Sequence, residues 1–266
     1  MEVCMSRNGF DLLREDITNP FAKERFSVSR LPVVAGNMSC TDGSRLPCCL
    51  DMLVKTPGGE ISIPEPYASS EWIREFLTIS LGFEDGLLPG WRDTHYAYLT
   101  VDNRFVRAGR SHRNGGWHFD GMQGVRYPEK LNACHEYIVA DRLTTEFTSL
   151  PTTADDLDEL RHNWFEELGR QIPETAEIYT PQPFEIVVMS AYQLHRSRVA
   201  NEADQGWRSF IRLDISLKQQ DRLGNTINPV LKAPFEYVPR DLPEGLKRPV
   251  EDAGWGEGVA FLGQQS

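Results

Sequence analysis

The segment Trp117-His118-Phe119-Asp120-Gly121 sets an imidazole and a carboxylate two positions apart on an extended stretch. Alternate residues of a strand point to the same side. His118 and Asp120 can therefore approach one ion together, while Phe119 turns into packing and Gly121 permits a sharp turn. His195, just past the apolar segment 184–190, supplies a second imidazole from what a sheet would make a neighbouring strand. Two imidazoles and one carboxylate on one face of an octahedron leave three positions open. That arrangement suits iron(II) when it must also take a co-substrate and dioxygen.

Arg208 and Arg212 follow on a strand-like segment and share one face by its period-two alternation. A guanidinium stays ionised and grips a carboxylate through two parallel hydrogen bonds, so either arginine can anchor a dicarboxylic acid chelated to the metal. Arg212 also reads as a partner for a substrate carboxylate, or as an ion pair with Asp214. Trp117, Gln123, Arg126 and Tyr127 flank the metal motif and read either as pocket wall or as packing. The loop 107–113, together with Arg126, is basic in an acidic chain; it fits an anionic group on the substrate, or a solvated loop. His135, beside Cys134 in an alternating strand, could imitate a ligand, and His112 lies in a polar loop with Arg110 and Arg113. Both are expected to lie outside the ligand set, as are His162, which faces away from its helix's apolar stripe, and His95, which has no companion at ligand spacing.

The elements that must position these residues are mostly short strands, at 96–101, 104–108, 135–140, 184–190, 208–216 and 235–238. Many short strands with turn signals between them point to a sandwich or barrel, and a jelly-roll core over about 96–240 is the expected form. Residues 48–55 and 60–63, joined by Thr56-Pro57-Gly58-Gly59, read as a hairpin. Ser70 as N-cap, then Trp72, Ile73, Phe76 and Leu77 at helical spacing, predicts a helix ending at Gly82. A second helix is expected over 154–168, with Leu157, Leu160, Trp164 and Leu168 on one face and Asp155 and Asp156 at its positive end. The expected fold class is mainly β with flanking helices.

His118-Phe119-Asp120, His195 and Arg208 resemble, in order and spacing, the pattern of the Fe(II)/2-oxoglutarate-dependent dioxygenase superfamily, over roughly 96–216. The resemblance implies Fe(II), 2-oxoglutarate and O2 as cofactors and co-substrates, with oxidation of an unactivated C–H bond. Because Asp120 is present rather than Gly or Ala, it implies an oxygenase and not a halogenase of that superfamily. Hydroxylation, oxidative cyclisation and desaturation of a small polar, amino-acid-like metabolite all remain open. Two other readings stand beside it. One is a cupin-like metal enzyme, an isomerase or a 2-oxoglutarate-independent oxygenase, which needs the triad but no inward arginine. The other is a non-enzymatic jelly-roll binding module.

The 266 residues, 40% apolar and 25% charged, suit a single catalytic domain with a full core. A formal net charge of -11 argues against a nucleic-acid partner and for a small molecule. Five cysteines without C-x-x-C spacing suit a reducing compartment, and the lack of a membrane-length apolar run or leader pattern makes a cytoplasmic location the expectation. The oligomeric state is left open.

Overall fold

The computed structural model describes residues 7–41, 45–112, 115–120, 132–157 and 164–238. Its elements are α1 (Arg7–Thr18), β1 (Val33–Asn37), β2 (Cys49–Lys55), α2 (Glu71–Leu87), α3 (Trp91–Thr94), β3 (Tyr96–Val106), β4 (His135–Ala140), β5 (Glu146–Phe147), α4 (Trp164–Gly169), β6 (Glu185–Ser190), β7 (His195–Arg196) and β8 (Gly206–Ser216). The fold is mainly β. Six strands form a major sheet in the order β1-β6-β4-β8-β3-β2, with every pairing antiparallel. β5 and β7 form a minor sheet, which single bridges extend on both sides: His118 pairs with His195, and Phe147 pairs with Tyr179.

Alternation along the strands decides what each face of the major sheet meets. Tyr137 and Val139 of β4, Ile186 and Val188 of β6, and Ile211, Leu213 and Ile215 of β8 join one apolar cluster with Leu13 and Ile17 of α1 and Trp72, Ile73 and Phe76 of α2. Burying a side chain such as Phe76 contributes about 1.5–3 kcal/mol, so this layer supplies much of the driving force for folding. The residues between them, Ile138, Ala140, Val187, Met189 and Phe210, face Phe147 and Tyr179 of the minor sheet. A third cluster, including Phe21, Phe26, Phe119, Leu168 and Tyr192, covers the Phe119 side of the metal motif.

α2 begins as expected, with Ser70 Oγ accepting from Ile73 N at 3.4 Å, but it runs through Gly82 to Leu87. Its last turns remain helical because Glu84, fully buried, is tied to β4: His135 Nε2 lies 2.8 Å from both its oxygens and Tyr137 Oη donates to it at 2.6 Å. A polar tether of this kind outweighs the small helix penalty of an interior glycine.

Several expectations are corrected. Residues 60–63 form no strand; Ser62 N merely bonds Val54 O at 2.8 Å. The two strands expected at 96–101 and 104–108 are one, because all of Tyr96–Val106 pairs in register with β8. Residues 235–238 contribute only a bridge between Val238 and Arg222. Of the helix expected at 154–168, Asp155 and Asp156 lie in a turn and the described helix is Trp164–Gly169, with 158–163 outside the described residues. Leu157 and Leu168 nonetheless meet the same apolar cluster. No described helix is long and apolar enough to cross a membrane.

Candidate metal centre

His118, Asp120 and His195 come together: each offers a ligand atom, and these atoms lie within 4.8 Å of one another. The backbone produces this directly. His118 N donates to His195 O at 2.9 Å and His195 N to His118 O at 2.8 Å, so the two residues are directly opposed across an antiparallel pair. Their side chains share a face, with ring centroids 4.4 Å apart. Asp120, two residues on, joins them with Oδ2 3.6 Å from His195 Nε2. Phe119 points the other way, fully buried and 4.7 Å from Phe26 by ring centroids.

Both imidazoles are oriented from behind. His118 Nδ1 lies 2.8 Å from Gly116 O and His195 Nδ1 lies 3.0 Å from Gln193 O. A carbonyl only accepts, so each Nδ1 carries a proton, and each Nε2 is left to present a lone pair when the ring gives up its other proton to a bound metal. This is the tautomer a metal-binding histidine needs, fixed by the carbonyl behind it. Burial opposes charge on Asp120, but contact with His195 and the positive field of His195, Arg212 and His118 prevail and hold its carboxyl well below the usual carboxylate range. Two neutral nitrogen donors and one carboxylate are a donor set that fits iron(II).

Arg212 is met by three carboxylates: Asp51 Oδ1 at 2.5 Å, Asp120 Oδ2 at 3.1 Å and Glu136 Oε2 at 3.3 Å. Ion pairing with Asp214, one sequence reading of this residue, is replaced by these contacts. Burial works against its charge, while Glu136, Asp51, Asp120 and Asp214 raise its pKa well above the ordinary value. Asp51 reaches it from an irregularity in β2. The register slips between Cys49 and Met52, and Asp51 adopts φ 45°, a left-handed conformation that aspartate tolerates better than most residues. Thr100 Oγ1 then bonds both the Asp51 amide (3.0 Å) and its Oδ1 (3.1 Å).

Arg208 lies further along the same face of β8, 4% exposed. Its Nε donates to Arg142 O at 3.1 Å and Leu143 O at 3.2 Å, and its guanidinium stacks 4.8 Å from the Phe210 ring centroid. These contacts fix the plane of the guanidinium. His112 also turns inward, its Nε2 3.6 Å from Asp102 Oδ2. Burial pushes the His112 pKa down, with Asp102 opposing and Arg208 adding to the shift. The polar loop expected there leaves Arg107 and Arg110 exposed.

Of the expected pocket residues, Trp117 lies on the packing side with Phe119, its ring under Arg196 at 4.5 Å, because alternation turns it from the His118 face. Gly169 presses on the same segment: a Cβ there would meet Trp117 O at 2.7 Å. Gln123, Arg126, Tyr127 and His162 lie outside the described residues. His95 and His135 stay outside the ligand cluster; His135 binds Glu84, and His95 Nδ1 lies 2.8 Å from Thr94 Oγ1. Asp51, Glu136, Asp102 and His112 belong to the site's surroundings and were not legible as such. For Asp51, Asp102 and Glu136 the only sequence signal is a charge within an otherwise apolar strand, and His112, in a polar loop, carries none.

The molecule is thus a mainly antiparallel β-protein with a two-histidine, one-carboxylate cluster beside its larger sheet. Similar solved structures include an oxidoreductase of the 2OG-Fe(II) oxygenase family from Burkholderia pseudomallei, at 12% identity and TM-score 0.36, covering 70% of this chain and 77% of that one. EvdO2 from Micromonospora carbonacea var. aurantiaca is similar at 13% identity and TM-score 0.34, over 55% of this chain and 64% of that one. The same protein complexed with 2-oxoglutarate matches at 15% and 0.35, over 70% and 76%. No family model and no curated protein matches the chain. Likeness at this level decides neither fold nor function, which rest on the residues themselves.

Proposed function

We propose that this chain is an Fe(II)- and 2-oxoglutarate-dependent oxygenase in which His118, Asp120 and His195 hold the metal within a single double-stranded β-helix domain. The observation that carries the reading is the pair of opposed histidines with both Nδ1 atoms on carbonyls and Asp120 beside them. The facing major and minor sheets, with an apolar layer between them, support the jelly-roll form. Iron(II) and 2-oxoglutarate bound there would supply, with O2, an oxidant able to attack an unactivated C–H bond of a small molecule.

The chain's own residues have separable tasks. His118 and His195 offer fixed lone pairs, and Asp120 brings charge. Arg212 keeps Asp120 ionised and in place, with Asp51 and Glu136 steadying Arg212 in turn. Because three carboxylates already engage Arg212, Arg208 is the better anchor for the distal carboxylate of 2-oxoglutarate, in a buried setting where a bidentate pair is strong. Phe147 and Phe210 line the apolar layer that limits water near the reacting centre. Gln123, Arg126 and Tyr127 remain candidates for contact with the primary substrate. Hydroxylation, cyclisation and desaturation diverge only in how that substrate sits.

The test is iron retention and succinate formation. The wild-type chain should bind one Fe(II) anaerobically and release succinate from 2-oxoglutarate when offered substrate, whereas His118→Ala or Asp120→Ala should lose the iron with the fold intact by circular dichroism. Arg208→Ala should keep iron but need at least about a hundredfold more 2-oxoglutarate. Unimpaired 2-oxoglutarate binding in both Arg208→Ala and Arg212→Ala would leave a metal enzyme of the cupin type instead.

A further inference from the structure

Three further side chains converge on the face of the major sheet that carries Arg212. Cys134, Glu136 and Asp214 each offer a ligand atom within 4.8 Å of the others, and all three are buried. Glu136 and Asp214 are directly opposed across β4 and β8, so two carboxylates share one cross-strand position. Like charges so placed repel unless something positive lies between them. Arg212 reaches Glu136, and Gln220 Nε2 donates to Asp214 Oδ2 at 2.5 Å. Asp214 Oδ1 has no hydrogen-bond partner among the described residues, although Asp214 is only 4% exposed. A buried carboxylate oxygen left unpaired is costly in the absence of a ligand.

The charges point to the ligand's sign. Asp51, Asp120, Glu136 and Asp214 surround the single guanidinium of Arg212. Arg212 and a dication at the histidine site would neutralise three of these carboxylates, leaving one negative charge. We propose that Cys134, Glu136 and Asp214 form a subsite for a primary ammonium group of the oxygenase's substrate. An ammonium has three donors and no acceptor, which suits two carboxylates and a sulfur. A second divalent metal ion fits less well, because only one negative charge remains to be balanced and the Arg212 guanidinium already occupies one side of Glu136. Burial pushes the Glu136 carboxyl well above its usual range and Asp214 up to about 6, so the remaining charge on this pair is taken up either by a shared proton or by a cation such as the ammonium.

Arg212 Nη1 contacts both Asp120 and Glu136, so the subsite adjoins the proposed metal ligands. An amine seated there would present a carbon a few bonds from its nitrogen. That consequence rests on the oxygenase reading; the binding itself does not. The amine-binding test therefore uses no 2-oxoglutarate and no turnover.

Equilibrium dialysis of the full Fe(II)-loaded chain against n-butylammonium and, separately, n-butanol should give at least about tenfold tighter binding of the ammonium. Asp214→Asn and Glu136→Gln, nearly isosteric, should each abolish that preference while circular dichroism stays unchanged. Equal binding of the two probes by the wild-type chain would overturn the proposal, and so would a preference that survives both substitutions. A second zinc equivalent per chain, kept by His118→Ala and lost in Cys134→Ser, would make the cluster a metal site and equally overturn it. Ammonium selectivity without succinate formation from any amine would sink the oxygenase reading and leave the subsite standing.

Discussion

Arg212 is the residue on which the most charge depends, because Asp51, Asp120 and Glu136 all face it from different parts of the chain. Removing one member of a buried charge network leaves the others uncompensated, at about 3–5 kcal/mol. Arg212→Met should lower the urea midpoint by that equivalent; a midpoint within experimental error of wild type would mean that the carboxylates are neutralised in some other way. The His-x-Asp spacing was legible because a period of two is local. Asp51 was not, since its position depends on a register slip in β2, and Glu136 was not, since a strand buried on both faces gives no alternation to single it out. His112 looked like part of a solvated loop, and only tertiary structure turns it toward Asp102.

At the scale of elements, the junction of α3 and β3 holds a titratable group whose effect has a definite sign. Burial, then the neighbouring His135, pushes the His95 pKa down from 6.5 to about 4. The unfolded chain takes up this proton near its ordinary pKa while the folded chain resists, so stability is lost as the pH falls from about 6.5 to about 4. The full loss is about 3 kcal/mol. Urea titrations across that range should give a shallower pH slope for His95→Gln than for wild type; parallel slopes would remove His95 from the account. α2 was legible from its cap and apolar stripe, and β4, β6 and β8 from their composition. α1 and β1 were not: Arg7–Thr18 carries its apolar face among many charges, and Val33–Asn37 is a short stretch containing Gly36, without a turn signal to frame it. The minor sheet was the hardest, because two-residue strands leave no periodicity to read.

Across the whole molecule, the N-terminal segment, for which the sequence predicts no element, forms the backing of the metal motif: Phe26 lies against Phe119 and meets Phe21 and Tyr192. Phe26→Ala opens a cavity behind Phe119, which should cost about 3–5 kcal/mol and weaken Fe(II) retention through loss of alignment alone. Iron affinity unchanged in a variant so destabilised would show that the motif holds its own shape. The opposed backbones of His118 and His195 carry one more consequence. Their two amides close onto each other's carbonyls, and the side chains of the same two residues would grip one ion. Separating the strands then means releasing the ion, so the metal acts as a clasp on main-chain hydrogen bonds. With free metal at a hundred times its dissociation constant, opening becomes harder by about 2.7 kcal/mol. Deuterium should therefore enter those two amides about a hundred times more slowly, while amides in the distant α2 keep their rate.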